Sequence, residues 1–128
     1  MTSRNLRTNL AKAKGLGSSN GGAHHWLMQR ITAVILIPCA VWLFFLGYAV
    51  SNHSMSEILL VLQKPYNIIS MMLFVITCFY HAALGMQVVI EDYVHNLRIR
   101  YSLIIILKIF CFITLISCLS SLIYLMVL

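Results

Sequence analysis

The amino-acid sequence predicts an all-α membrane protein with three transmembrane helices that pack as a bundle, and three observations support this fold class. The chain of 128 residues is 61% hydrophobic and only 9% charged, whereas a soluble domain carries about 25% charged and about 45–50% apolar residues. It contains three apolar runs, each long enough to cross a bilayer core, which takes about 20 residues as a helix. Short polar stretches separate these runs. The composition therefore excludes an ordinary soluble domain.

Residues 1–25 are predicted to form a flexible, basic segment on the cytoplasmic side. The segment contains Arg and Lys but no acidic residue, and residues 15–22 are rich in Gly, Ser and Asn, a composition typical of flexible chains. A mitochondrial transit peptide or a secretory signal peptide begins in a similar way. The apolar run that follows is longer than a signal-peptide core, and further spans come after it, which favours a retained segment.

The first predicted span covers residues 26–50, which carry no charge after Arg30. Pro38 lies within this run and predicts a kink that neighbouring helices must accommodate. Residues 51–65 are predicted to form an outer loop. This loop ends at Pro65, which suits the first turn of the next helix because proline lacks the N–H that this turn leaves unpaired.

The second predicted span covers residues 66–90, and the third covers 102–128. Charged residues return between them, in a predicted cytoplasmic loop of residues 91–101. Lys108 is close enough to the start of the third span for its long side chain to extend toward the interface. These spans and loops account for the chain after residue 25.

The basic residues predict the orientation of the chain, because Lys and Arg near membrane spans concentrate on the cytoplasmic side. Most of them fall on one side: Arg4, Arg7, Lys12, Lys14, Arg30, Arg98 and Arg100. Lys64 falls on the other side. The N-terminus is therefore expected on the cytoplasmic or matrix side. This distribution explains the net charge of +6 better than nucleic-acid binding does, since the basic residues flank the spans and form no stripe on a folded domain.

His81 is the only ionisable side chain deep within a predicted span, and an intramembrane histidine is costly enough to indicate function. It has two interpretations. One is a neutral imidazole that bonds to a neighbouring helix; the other is an axial haem ligand in the core of the bundle. Gly85 lies one turn further along the same face, where a missing side chain lets a flat macrocycle or another backbone approach closely.

Asp92 and Tyr93 follow at the cytoplasmic end of the same span. Asp92 is eleven residues from His81, so a continuous helix places it on the same face, rotated by about 20° and displaced by about 16 Å. Tyr93 lies near the edge of that face and offers an O–H group at headgroup depth. The alternative interpretation is an interfacial tyrosine beside solvated acids.

His24, Trp26 and Arg30 form a third feature at the start of the first span. Arg30 marks the cytoplasmic side, and Trp26 is typical of an interfacial aromatic residue. A cation at this depth can also neutralise an anionic cofactor group through a charge-assisted contact. The sequence leaves both interpretations open.

Residues 81–94, HAALGMQVVIEDYV, resemble the pattern H-A-x-x-G-[ML]-x-x-V-x-x-D-Y of the small hydrophobic membrane anchors of succinate dehydrogenase, respiratory complex II. A second motif in the same order along the chain is Arg30-x-Thr32-Ala33, with His24 six residues before the arginine. The resemblance covers most of the chain. The basic N-terminus and the H-x-W-x-x-Q-R opening are most similar to alphaproteobacterial and rickettsial members.

The resemblance implies roles for five residues. His81 matches an axial ligand of haem b, whose second ligand would come from a companion membrane anchor. Arg30 and His24 match contacts of the haem propionates, and His25 beside His24 leaves the register of the histidine open. Tyr93 matches the tyrosine that hydrogen-bonds a ubiquinone carbonyl, and Asp92 matches the acid beside it.

The resemblance also implies partners and a location. A flavoprotein subunit would oxidise succinate, an iron–sulfur subunit would pass the electrons to ubiquinone, and this chain would form part of a heteromeric helix bundle. It would have no succinate-oxidising site of its own. A bacterial inner membrane is favoured over a mitochondrial one.

Three other functions compete with this interpretation. An anchor of a fumarate reductase is the nearest, because the direction of the reaction depends on cofactor potentials and on the quinone. A small proton-coupled transporter usually carries a membrane-embedded acid, whereas Glu57, Glu91 and Asp92 lie at the predicted boundaries. The third is a structural anchor or assembly factor without a cofactor.

Overall fold

The structure, a computed structural model, describes residues 19–127, with side chains from residue 22 onward. This part of the chain forms four helices and no strand: α1 (Ser19–Val50), α2 (Met55–Leu62), α3 (Pro65–Tyr93) and α4 (Leu97–Val127). Three of the helices are long and apolar enough to cross a membrane. The predicted all-α membrane class with three spanning helices is therefore confirmed.

The helices are longer than the predicted spans. α1 begins at Ser19 rather than at residue 26, and α4 begins at Leu97 rather than at residue 102. Hydropathy marks only the part that the bilayer must cover, whereas an established helix adds one hydrogen bond per residue and continues into polar sequence until something ends it. Of the segment predicted to be flexible, residues 19–25 are helical and residues 1–18 lie outside the described residues.

The predicted outer loop contains a helix that was not predicted from the sequence. α2 occupies Met55–Leu62 within the range 51–65. The Glu57 carboxylate accepts hydrogen bonds from the backbone N–H and from the hydroxyl of Ser54, each at 2.8 Å, which satisfies a donor that the first turn leaves unpaired. Both bonds lower the pKa of Glu57, and the one from the backbone N–H has the larger effect. The Ser-x-x-Glu spacing is the signal that could have predicted this helix.

The start of α3 agrees with the sequence. Pro65 occupies its first turn, as predicted. Asn67, which is 2% exposed, donates from Nδ2 to the carbonyl of Val61 at 2.7 Å. This bond ties the last turn of α2 to the first turn of α3. It leaves little freedom between the short helix and the spanning helix.

α3 is the central helix. It packs against α1 on one side and α4 on the other, whereas α1 and α4 do not pack against each other within the described residues. The buried residues are few: Ile68, Leu84, Thr32, Asn67 and Thr77. Most large apolar side chains are exposed, as expected where lipid or other helices would cover them. The interior of this part of the chain is therefore small, and three of its five buried residues are polar.

Candidate functional site

His81 lies at the interface between α1 and α3, where both of its ring nitrogens meet polar atoms of α1. Its Nδ1 is 2.8 Å from Oγ1 of Thr32, and its Nε2 is 3.3 Å from Nε2 of Gln29. Thr32 is buried, and His81 and Gln29 are half-buried. The deep histidine predicted from the sequence therefore faces a neighbouring helix within this chain.

The hydrogen bonds of these residues favour one tautomer of His81. An amide nitrogen can only donate, so the Nε2 atom of His81 accepts from Gln29. A neutral imidazole then carries its hydrogen on Nδ1, which donates to the Thr32 hydroxyl. The hydroxyl donates its own hydrogen bond to the carbonyls of Met28 (2.9 Å) and Gln29 (3.0 Å). In this arrangement the lone pair of His81 is on Nε2.

Gly85 provides the space in which the Gln29 amide lies. A Cβ atom placed on Gly85 would be 3.2 Å from Nε2 of Gln29, closer than ordinary van der Waals contact allows without a small shift. A Cβ on Gly47 in α1 would meet nothing within 4 Å. The sequence suggested that a macrocycle or another backbone approaches Gly85, whereas in the structure the side chain of Gln29 does so.

A cavity of about 430 Å³ adjoins this contact, and its lining includes His25, Trp26, Gln29, Gly85 and Val88. Two polar side-chain atoms of the described residues are buried without a hydrogen-bond partner, His25 Nε2 and Gln29 Oε1. Both belong to residues in this lining. Buried polar atoms are normally satisfied, so this wall can bind a polar group.

Gln29 and Thr32 were assigned no role from the sequence, although both stand in the quoted motifs. His25, Gln29 and Thr32 are spaced four and three residues apart, which places them on one helical face. That spacing was the available signal. Pairing with His81 is set by the packing of α1 on α3, across 52 and 49 residues of sequence.

His24 is exposed, while His25 beside it is half-buried. Both histidines line a second cavity, of about 520 Å³, together with Lys108 of α4 and residues of α3. His25 contributes to both cavities, whereas His24 does not line the cavity beside Gly85. His24 and His25, between which the sequence left the register open, therefore have different environments.

Arg30 is exposed, and its guanidinium lies over the Trp26 ring at 5.1 Å from the ring centroid. The two residues are one turn apart on α1. Arg30 directly follows Gln29, so it lies about 100° around the helix from the face that meets His81. This cation–π contact holds the guanidinium beside the aromatic residue near the start of the span.

Asp92 and Tyr93 lie together in the last turn of α3, since the helix continues to Tyr93. Asp92 is therefore on the His81 face and about 16 Å along the axis. Both side chains are exposed, Tyr93 to 79%. After the helix ends, Oδ1 of Asn96 accepts from the Arg98 backbone N–H at 3.1 Å and starts α4.

The described residues contain no cluster of three or more His, Cys, Asp or Glu side chains that could hold a metal ion.

Comparison with known proteins gives consistent matches. Residues 4–115 match the family described as succinate dehydrogenase/fumarate reductase transmembrane subunit. The succinate dehydrogenase hydrophobic membrane anchor subunit of Rickettsia bellii is 44% identical over 119 residues, covering 93% of this chain and 95% of the relative. The protein of the same name from Rickettsia conorii is 41% identical over 120 residues, with coverage of 93% and 95%.

A more distant relative is the succinate dehydrogenase membrane anchor subunit of Reclinomonas americana. It is 29% identical over 94 residues, covering 71% of this chain and 78% of the relative. No solved structure matches this chain.

Proposed function

This chain belongs to the family of succinate dehydrogenase and fumarate reductase transmembrane subunits, and from that premise we propose that it supplies a haem ligand and part of a ubiquinone site to a succinate:ubiquinone oxidoreductase. Membership of the family carries the role of membrane anchor in an enzyme complex. The haem and quinone roles rest on the geometry of α3 and on the quoted motifs.

The state of His81 is the observation that carries the proposal. Its Nε2 atom has the lone pair that a metal requires, while Nδ1 donates to Thr32, as the second nitrogen of a metal-ligating histidine does. Gly85 leaves space beside the ring, and a buried oxygen of Gln29 lacks a partner. These residues fit haem b once the Gln29 amide leaves Nε2. When bound, haem iron supplies one-electron oxidation and reduction.

Arg30 and His24 are proposed to contact the haem propionates. A guanidinium forms charge-assisted bonds with carboxylates, and the Trp26 ring keeps that of Arg30 near the start of α1. His25 is the alternative to His24, supported by its unpartnered Nε2 atom. A second haem ligand would come from another membrane anchor, as the resemblance implies.

Tyr93 and Asp92 are proposed to form one wall of the ubiquinone site. The phenolic O–H of Tyr93 would donate to a quinone carbonyl oxygen, and Asp92 would set the local charge and supply of protons. Reduction of a quinone takes two electrons and two protons. A site at the end of α3 borders the aqueous phase, which supplies these protons directly.

The expected partners are a flavoprotein subunit, an iron–sulfur subunit and a second membrane anchor. The exposed apolar side chains of α1 and α4 favour additional helices, and lipid would cover the remainder. We place the complex in a bacterial inner membrane with the N-terminus cytoplasmic, which puts Asp92 and Tyr93 at the cytoplasmic face. No nucleic acid is expected.

A fumarate reductase anchor is the second candidate, because the description of the family includes that enzyme. The names of the relatives favour succinate oxidation. A transporter is less well supported, since Glu57 lies in α2 and Glu91 and Asp92 lie in the last turn of α3, away from the middle of a span.

Purification of the complex through a tag on this chain tests the proposal. We expect flavin and iron–sulfur subunits and a second membrane protein to copurify, with a b-type haem spectrum and with succinate-dependent reduction of ubiquinone. A complex that lacks the b-type haem spectrum but reduces quinone at full rate would contradict the haem role. A monodisperse, haem-loaded preparation of this chain alone would contradict the need for a second anchor.

A further inference from the structure

We propose that Thr32 is a positioning residue that fixes the tautomer of His81, and that Gln29 is a placeholder that occupies Nε2 until haem replaces it. This inference rests on the proposed haem ligation and extends it to two residues of α1. Exchange breaks the hydrogen bond from Gln29 and forms the bond from Nε2 to iron. No proton needs to move, because the lone pair is already on Nε2.

Thr32 is suited to positioning because its hydroxyl has little freedom. The side chain is 6% exposed, and its hydroxyl hydrogen is shared between the carbonyls of Met28 and Gln29. A hydroxyl held in this way presents a lone pair to the Nδ1–H of His81. The imidazole is thereby fixed in both tautomer and ring orientation before any cofactor binds.

Gln29 is suited to displacement because its amide is poorly satisfied. The distance from its Nε2 to the Nε2 of His81 is 3.3 Å, longer than a typical protein hydrogen bond. Its Oε1 is buried and has no partner. The amide therefore loses little when it leaves the imidazole nitrogen.

The adjoining cavity offers the amide a place to move to. His25 precedes Gln29 by one helical turn, and both residues line that cavity. Their unpartnered atoms are complementary, since a His25 Nε2–H can donate to Oε1 of Gln29. Displacement of the amide would pair the two buried atoms that lack partners within the described residues.

The test measures haem binding by the whole four-subunit complex. Complexes are produced in haem-limited cells and titrated with haemin while Soret absorbance is recorded. Gln29→Leu removes the amide and keeps the bulk, and Gln29→Ala is a second variant in case the first assembles poorly. Thr32→Val removes the hydroxyl, and Thr32→Ser retains it. Gln63→Leu, at the end of α2, and Thr114→Val, whose hydroxyl bonds only within α4, are the matched controls.

We expect the Gln29 variants to bind haem several-fold faster or more tightly than the wild-type complex, because nothing occupies Nε2. Thr32→Val should weaken haem binding by about 10- to 100-fold, as loss of such a supporting bond typically does. It should also raise the midpoint potential of the haem, because the imidazole becomes less basic. Thr32→Ser should restore both properties. If Thr32 had a purely structural role, Thr32→Val would leave the midpoint potential of the haem unchanged, and Thr32→Ser would have no potential to restore.

Two negative results are distinguishable. If His81→Leu abolishes haem binding but the Gln29 and Thr32 variants behave as their controls do, the inference fails and the proposed haem ligation stands. If His81→Leu binds haem as the wild type does, the proposed ligation fails and this inference fails with it.

Discussion

His81 and Tyr93 lie on the same helix, twelve residues apart, but this chain completes their surroundings to very different degrees. Both ring nitrogens of His81 have partners on α1. Tyr93 lies at the last residue of α3 and is 79% exposed. One region is assembled by packing within the chain, and the other projects from it.

The difference indicates where each proposed site needs a partner. An imidazole in the membrane must be satisfied internally, because hydrocarbon offers no hydrogen bonds. A tyrosine at the aqueous boundary has water available and can remain open until a substrate and another protein surround it. The chain alone therefore positions the proposed haem ligand, whereas the proposed quinone wall would function only in a complex.

The largest effect is expected from His81→Leu, which removes the proposed haem ligand. The complex should lose its b-type haem spectrum, because leucine offers no lone pair to iron. Dye-linked succinate oxidation by the soluble subunits should persist, since that chemistry is distant. Spectra and dye-linked rates of membranes containing equal amounts of the complex give the measurement.

His53→Leu is the matched control, since His53 is exposed in the turn between α1 and α2. An unchanged haem spectrum in His81→Leu would reduce His81 to a packed histidine. The contrast between the two regions of α3 would then have no bearing on haem.

Tyr93→Phe should act only at the exposed end of α3, where the quinone wall is proposed. It keeps the ring and removes the O–H, whose proposed hydrogen bond to the quinone would contribute about 0.5–1.5 kcal/mol, so binding should weaken by up to about tenfold. The rate loss should exceed the binding loss if the bond strengthens as charge develops on the quinone oxygen. Quinone reduction relative to dye-linked oxidation is measured.

Asp92→Asn should lower the same ratio and leave the haem in place, because about 16 Å of helix separates it from His81. The control is Tyr48→Phe, an equally conservative change at an exposed tyrosine near the C-terminal end of α1. If Tyr93→Phe and Asp92→Asn match that control in rate and in inhibitor sensitivity, the quinone assignment is wrong.

Gly85→Ala tests how closely α1 and α3 pack beside His81. Alanine favours a helix over glycine by about 1 kcal/mol at either Gly85 or Gly47, but only the Cβ at residue 85 meets Gln29, at 3.2 Å. The haem-depleted Gly85→Ala complex should therefore be less stable than Gly47→Ala, by at most about 1 kcal/mol, the low end of overpacking costs, because the contacting atom is the end of a flexible side chain that can shift.

Thermal unfolding in detergent gives this comparison. The difference should disappear when both glycine variants also carry Gln29→Ala, because the contacting amide is gone. A difference that persists would place the cause elsewhere than in the Gln29 side chain.

The smallest effect is expected at Glu57, which depends on neither region. Bonds from Ser54 lower the pKa of Glu57 in the folded chain, so their stabilisation of α2 is complete above the ordinary carboxyl pKa and is lost as the pH falls through the lowered value. Glu57→Gln should abolish this pH dependence.

Hydrogen exchange of the Ser54 amide over that pH range measures the effect, with the haem spectrum as an internal control. Protection of this amide that varies equally with pH in wild type and Glu57→Gln would disprove the role of the carboxylate. A changed haem spectrum would indicate that α2 is coupled to the surroundings of His81.

Local sequence was sufficient to predict the membrane class, the three spanning helices, the start of α3 at Pro65 and the depth of His81 within a span. These properties depend on local composition: apolar length meets bilayer thickness, proline suits a first turn, and an ionisable group among apolar residues is costly wherever it packs. The helix α2, although not predicted, was also encoded locally, by the spacing of Ser54 and Glu57.

The contacts of His81 could not be predicted in this way, because they depend on how two distant helices pack. Thr32 and Gln29 are 49 and 52 residues away in sequence, and the rotation of α1 against α3 selects them from several polar residues near the start of α1. Arg30, one position from Gln29, lies on a different face for the same reason. Helical periodicity defines which residues share a face, but the packing of one helix on another determines which face is turned inward.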